Sequence, residues 1–313
     1  MPDIDPETRV FLDQLNSADG PEFDSLTVAE KRAGLDAFFA DAAPSAPKAD
    51  VVDIDIPVRA GRTVSASVFS LPGKEARLPV LFLIQGGGWA LAGRAAYGPL
   101  ARLLADRLGR VVVVADFRLA PEHPFPAGLE DCIDVYKWVR AHAGEIGGDA
   151  ERIALMGDSA GGNLAAALCL SDEVSAAERP EALVLAYPMT DIRPDAACYA
   201  SRRELGGGDY FLTTGSIDWS AEVYTAGGTN SGHPLVSVIC NDQLGRLPLT
   251  LVLTAGLDPL KDEGRIFCLR AVAGGANAVH REYAGTIHGF LSFFHVLPVA
   301  YEALADIAAF LRT

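Results

Sequence analysis

The sequence predicts an α/β fold: a mostly parallel central sheet of about eight strands, flanked by helices and covered by a helical cap. Three observations lead there. Short, mainly apolar runs at 79–84, 111–115, 152–156, 181–187 and 249–254 read as strands, and the first two are continuously apolar, as strands covered on both faces are. Helical segments separate these runs, and strand–helix alternation implies right-handed crossovers and parallel pairing. The rhythm then stops between Asp191 and about Ser231, which marks an insertion.

Taken in order, residues 1–45 read as helices. Val10, Phe11, Leu12 and Leu15 form one apolar face, and Leu35, Phe38 and Phe39 form another within 28–40. The proline-containing stretch 42–47 is a linker-like break. Residues 51–58 alternate as a half-exposed edge strand, Gly61 turns them into a second alternating strand at 63–69, and Pro72-Gly73 turns the chain again. Helices are expected at 97–108, 127–142, directly after Ser159, at 262–273 and at 300–311, with a last strand at 279–283. The expected division is N-terminal cap helices over 1–45, a core formed by 46–190 and 232–313, and an inserted cap segment over 191–231. Sites in open parallel sheets lie at the carboxyl ends of the strands, so an insertion leaving from that edge is expected to cover one.

The chain has 313 residues, half of them hydrophobic and 21% charged, within the range of a globular enzyme. Its formal net charge of −15 argues against nucleic acid and anionic membrane as partners, since both require basic surface. No apolar run reaches the ~18 residues of a membrane-spanning helix, so stable membrane insertion is not expected. The acidic start, Met1-Pro2-Asp3-Ile4-Asp5, lacks the basic-then-apolar pattern of a signal peptide. Five scattered cysteines include no C-x-x-C pair, so neither a zinc site nor a disulfide framework is suggested. Cys132, Cys169 and Cys268 sit in apolar or helical surroundings and read as buried thiols, which makes a reducing cytoplasm the simplest compartment. No cofactor or metal is expected.

Chemistry concentrates at Gly157-Asp158-Ser159-Ala160-Gly161-Gly162, between the apolar run 152–156 and a helix rich in small residues. Glycines two before and two after a serine permit a tight strand-to-helix turn that forces the serine out at the sheet edge. There it meets the unpaired N–H groups and the positive end of a helix. By itself the pattern also suits an ordinary glycine-rich turn; its company decides. A nucleophilic serine needs a base and a carboxylate that orients the base, in the chain order Ser, Asp or Glu, His. Downstream histidines are His233, His280, His288 and His295. His288 is the expected base, because it lies in a glycine-flanked loop just beyond the last strand. Asp258, directly after the strand at 249–254, is the expected partner, while Asp262 and Glu263 read as complements to a helix dipole. The oxyanion of a tetrahedral intermediate needs N–H donors. Ala160 offers one, and Gln85-Gly86-Gly87-Gly88-Trp89, after the strand at 79–84, exposes others without side chains in the way.

These residues resemble the hormone-sensitive-lipase-like branch of α/β-hydrolase esterases, the bacterial family with H-G-G-G and G-D-S-A-G-G motifs. Besides the serine motif, the match includes Asp258-Pro259-Leu260 with Asp262-Glu263-Gly264, Ile287-His288-Gly289-Phe290, and Phe117-Arg118-Leu119-Ala120-Pro121-Glu122, and it extends over essentially the whole chain. The resemblance implies an α/β-hydrolase fold with a cap, and hydrolysis of short-chain acyl esters by Ser159, His288 and Asp258 through an acyl-enzyme. It assigns Gly87, Gly88 and Ala160 as oxyanion donors, Gly86 to the shape of their loop, and Arg118 and Glu122 to a brace beneath the site. One departure stands out: Gln85 occupies the position of the family's histidine, which is expected to hold the glycine loop by hydrogen bonds. An amide also donates and accepts, so the loop is expected to keep its shape. Cap aromatics such as Phe211, Trp219 and Tyr224 are candidates for lining the substrate pocket or for packing the cap. An amidase or arylformamidase on the same triad is the alternative. A plant-type small-molecule receptor on this scaffold fits less well, because those receptors have lost a triad residue. A homodimer through the last strand and closing helix is an arrangement such folds use.

Overall fold

The structure, a computed structural model, describes residues 3–17, 20–21, 23–73 and 77–312. Of the segment 1–45 expected to be helical, residues 1, 2, 18, 19 and 22 lie outside the described residues. Two helices come first, α1 (Pro6–Ser17) and α2 (Val28–Ala40). Thr27 caps α2 reciprocally with Glu30, which satisfies backbone donors at both positions. The sheet then begins with β1 (Asp50–Val58) and β2 (Arg62–Ser70), followed by β3 (Leu78–Ile84), α3 (Gly98–Leu108), β4 (Val111–Ala115) and α4 (Ala127–His142). Next come β5 (Gly148–Asp158), α5 (Ala160–Leu170) and β6 (Ala182–Ala186). The interval before β7 (Leu249–Leu257) contains α6 (Ala200–Leu205) and α7 (Thr214–Tyr224) and no strand, as the lost rhythm predicted. α8 (Lys261–Ala273), β8 (Ala278–Ile287) and α9 (Val299–Phe310) complete the chain.

The eight strands lie in the order β1-β2-β4-β3-β5-β6-β7-β8. β2 pairs antiparallel with both β1 and β4, and every other pairing is parallel. Period-two alternation sorts the β3 side chains into two cores. Val80, Phe82 and Ile84 pack with α4, α5 and α8 on one face, and Leu81 and Leu83 pack with α3 and α9 on the other. Burial on both faces is why β3 and β4 are apolar at every position. Cys132, Cys169 and Cys268 are buried free thiols, as expected. No helix among the described residues is long and apolar enough to cross a membrane.

Two differences from the sequence-based reading have physical causes. β8 continues four residues past the expected end at 283, because backbone pairing with β7 persists to Leu257↔Ile287 although Ala284, Gly285 and Thr286 carry no strand-like apolar pattern. Glu263 is not simply a dipole complement. It is fully buried, accepts the N–H groups of Thr190 and Asp191 at 2.7 and 3.0 Å, and pairs with Arg202 of α6 at 2.6 Å. Asp262 accepts the Ser201 N–H at 2.9 Å. The first turn of α8 therefore fastens the inserted segment to the sheet.

Candidate active site

β5 ends at Asp158 and α5 begins at Ala160, leaving Ser159 alone in the turn at φ 55°, ψ −123°. A non-glycine residue at positive φ is strained and persists only where its surroundings over-determine it. Here Ser159 donates its N–H to the Ala186 carbonyl at 2.9 Å, and its own carbonyl accepts from Met189 at 3.1 Å. The flanking glycines are required by space. A Cβ on Gly157 would lie 2.2 Å from the Gly161 oxygen, and one on Gly161 would lie 2.0 Å from the Ile84 oxygen.

Three side chains that are far apart in the chain meet at this edge. His288 Nε2 lies 3.0 Å from Ser159 Oγ, and His288 Nδ1 lies 2.7 Å from Asp258 Oδ2. Since a carboxylate only accepts, Nδ1 carries the proton and Nε2 is free to accept from the serine hydroxyl. Asp258 is completely buried, and its other oxygen accepts the Leu260 N–H at 2.8 Å, which fixes the carboxylate plane. The other downstream histidines have different surroundings: His280 bonds Thr254 Oγ1 at 2.8 Å, His233 packs 4.9 Å from the Phe125 ring, and His295 packs against Phe294.

Gly87 and Gly88, at φ 99° and 61°, follow β3 and face the serine across the same cavity. Among the described residues, the N–H groups of Gly87, Gly88 and Ala160 donate to no other part of the chain. The loop is held from below by a device that sequence reading missed. Gly86 donates its N–H both to Asp158 Oδ1 at 3.0 Å and to the Tyr97 hydroxyl at 2.9 Å, and Tyr97 in turn donates to Asp158 Oδ2 at 2.8 Å. Burial pushes the Asp158 carboxyl up to about 6, although the hydrogen bond from Tyr97 and the nearby His288 pull the other way. Burial, with Asp158 beside it, also raises the Tyr97 hydroxyl well above its usual range and keeps it a donor. Asp158 was visible inside the serine motif; nothing in the sequence around Tyr97 pointed to it.

Gln85 supports the loop at its start. Its amide does not bond the glycines; Nε2 donates to the Ala115 carbonyl at the end of β4, at 3.0 Å. It anchors the start of the loop, while Asp158 and Tyr97 hold the loop itself. The brace beneath the site is also divided. Arg118 pairs with Asp131 at 2.8 Å inside the core, whereas Glu122 pairs with Arg32 of α2 at 2.7 Å. Arg32 also donates to the carbonyls of Ala90 and Ala120, at 2.7 and 3.0 Å, so it ties an N-terminal helix to the segment after the glycine loop.

A cavity of about 490 Å³ opens over Ser159 and His288, walled mainly by apolar side chains such as Leu35, Phe38, Phe211 and Ile217. Phe211 is the one expected aromatic that lines it. Trp219 instead packs edge-on against Phe23 at 5.5 Å, and Tyr224 stacks on Trp89 at 4.2 Å.

A family model described as the alpha/beta hydrolase fold matches residues 81–292, more than half of the chain. The chain belongs to the α/β-hydrolase family. Its motifs place this α/β-hydrolase in the hormone-sensitive-lipase-like branch. It is 31% identical to the carboxylesterase NlhH of Mycobacterium tuberculosis, over 96% of this chain and 93% of that protein. It is 30% identical to an arylesterase of Saccharolobus solfataricus, over 92% of each. Among solved structures, the hyperthermophilic esterase of the archaeon Pyrobaculum calidifontis superposes with a TM-score of 0.91 at 35% identity, covering 99% of this α/β-hydrolase and 98% of that chain. An ester hydrolase from the metagenome of Lake Arreo, complexed with a bipyridine phosphonate derivative, gives 0.91 at 34% identity and 98% coverage of both.

Proposed function

We propose that this α/β-hydrolase is a serine carboxylesterase that cleaves short-chain acyl esters, with Ser159 as nucleophile, His288 as base and Asp258 as its orienting acid. The continuous hydrogen-bonded line from Ser159 through His288 to the buried Asp258 carries this reading. His288 Nε2 takes the hydroxyl proton as Ser159 Oγ attacks the ester carbonyl. The oxyanion settles on the N–H groups of Gly87, Gly88 and Ala160, which are already in position and so reorganise little as charge develops. His288 then returns the proton to the departing alkoxide, and a water it deprotonates releases the acid from Ser159. The modest size of the apolar cavity, about 490 Å³, supports a preference for short acyl chains. We read residues 1–45 and 191–231 as the cap, because α2 and α7 contribute side chains to that cavity. Val279 on the edge strand β8 and Tyr301 on the closing helix α9 are exposed and support a homodimer through those two elements, which sedimentation equilibrium would read. The free cysteines fit a reducing, cytoplasmic compartment.

The direct test is hydrolysis of 4-nitrophenyl butyrate together with labelling of Ser159 by a fluorophosphonate; a folded protein that does neither refutes the serine mechanism. Two further outcomes follow from the loop anchors. Gln85→His is expected to change kcat by less than about tenfold, or ~1.4 kcal/mol, since a ring N–H can replace the amide donor to Ala115. A rise of several hundredfold would mean that glutamine cripples the loop. Asp158 must be ionised to accept from both Gly86 and Tyr97, and His288 must be neutral to act as base. As pH falls through about 6, Asp158 takes up a proton and the clamp on Gly86 is lost. The acid limb of log(kcat/KM) against pH should therefore be steeper near pH 6 in the natural protein than in Asp158→Asn. The same slope in both would remove Asp158 from the mechanism.

A further inference from the structure

The far wall of the cavity holds a cation that the ester chemistry above does not use. Lys31, on α2, is the one lysine or arginine among the described residues that line it, and only 7% of its surface is exposed. Its ammonium donates to the Leu26 carbonyl and sits 4.6 Å from the centre of the Phe23 ring and 5.1 Å from that of Trp219. Among the described side chains no carboxylate forms a salt bridge with it, and the neighbouring Glu30 carboxylate interacts with its charge from a distance. The two acidic residues of the wall are occupied. Glu30 accepts from the Thr27 N–H and hydroxyl at 2.8 and 2.6 Å, and Asp158 accepts from Gly86 and Tyr97.

Burying an ammonium costs free energy, and among the described residues one carbonyl, two aromatic faces and the exposed neighbouring Glu30 carboxylate offset part of it. An ammonium has three donors, and one is used in the protein. Most of the wall is apolar and its remaining polar side chains, such as Thr213, Ser216 and Ser220, are neutral or already bonded, so an anionic group on a substrate would find one cationic partner there. In a site of low dielectric such a pair is much stronger than at the surface.

We propose that Lys31 forms a carboxylate subsite, and that this esterase takes esters bearing a second, ionised carboxyl group remote from the scissile bond. The proposal rests on the serine-esterase reading of the same cavity. The ligand class is the half-ester of a dicarboxylic acid, or an ester whose alcohol part carries a carboxylate. The uncharged part of the molecule lies along Leu35, Phe38 and Phe211, and the anion ends at the ammonium.

The test compares matched esters in the natural protein and in Lys31→Met, which keeps the length of the side chain and its apolar contact with Phe23. On the acyl side the pair is mono-4-nitrophenyl glutarate and 4-nitrophenyl pentanoate; on the alcohol side it is 4-carboxyphenyl butyrate and phenyl butyrate. Taking the ratio of kcat/KM between natural protein and variant removes the intrinsic reactivity of each ester. For at least one pair the anionic ester should lose tenfold or more on substitution, mostly through KM, while its neutral partner changes less than threefold. Lys31→Arg should keep most of the discrimination, which separates charge from packing. Equal losses for anionic and neutral esters in both pairs would overturn the subsite and assign Lys31 to holding α2 and the Phe23 segment together. Should Lys31→Met fail to fold, the natural protein and Lys31→Arg still decide: an anionic ester hydrolysed no better than a hundredth as fast as its neutral partner in both pairs overturns the proposal. Turnover of the neutral esters by the natural protein is the control, since its absence would sink the esterase reading itself.

Discussion

Ser159→Ala is expected to lower kcat for 4-nitrophenyl butyrate by about 10⁴-fold or more, with the folded structure intact. The hydroxyl is nearly buried and contributes no structural hydrogen bond beyond the one to His288, so its loss removes chemistry and little stability. The position tolerates the change, since alanine is smaller and the turn is held by backbone bonds to Ala186 and Met189. His288→Ala should fall to a similar level, and the double variant should lose little more, because serine and histidine act as one unit. Independent, additive losses from the two substitutions would contradict the proposed proton transfer. Circular dichroism and thermal melting of each variant separate a missing nucleophile from a misfolded sheet edge.

The largest expected effect on stability lies away from the chemistry. Arg202→Ala should destabilise the protein by about 3–5 kcal/mol, read as a shift of the denaturant midpoint. The substitution leaves Glu263, with none of its surface exposed, without its cationic partner at 2.6 Å. The Arg202 guanidinium also loses its bond to the Asp191 carbonyl at 2.6 Å, so the start of the inserted segment loosens at the same time. Adding Glu263→Gln should recover part of the loss, because a neutral amide is less costly to bury than an unpaired carboxylate and can still accept from Thr190 and Asp191. A single-variant loss below about 1 kcal/mol would mean that water reaches Glu263 and that the segment is not fastened there.

Backbone-level signals were strong in this chain. Continuous apolar runs fit strands covered on both faces, and the placement of β3 side chains in two separate cores is why they look that way. The glycines at 157 and 161 were legible for the same kind of reason, since no other residue fits against Ile84 and the helix start. Cross-chain partnerships were not legible. Glu263 looked like any acidic residue in a first helical turn, and its burial depends on α6 folding back over it. Trp219 and Tyr224 could equally have lined the pocket or packed the cap, and the contacts with Phe23 and Trp89, from distant segments, decide for packing.

The order of strands and helices, the tight serine turn and the candidate trio of Ser159, Asp258 and His288 were determined by the sequence alone, because local sterics and period-two or helical patterning act within a few residues. The distances joining that trio, the clamp of Asp158 and Tyr97 on Gly86, and the seating of the Lys31 ammonium beside Phe23 and Trp219 were decided only in three dimensions. Hydrogen bonds, desolvation and charge pairing depend on which groups the folded chain brings within a few ångströms, and spacing along the chain does not carry that information.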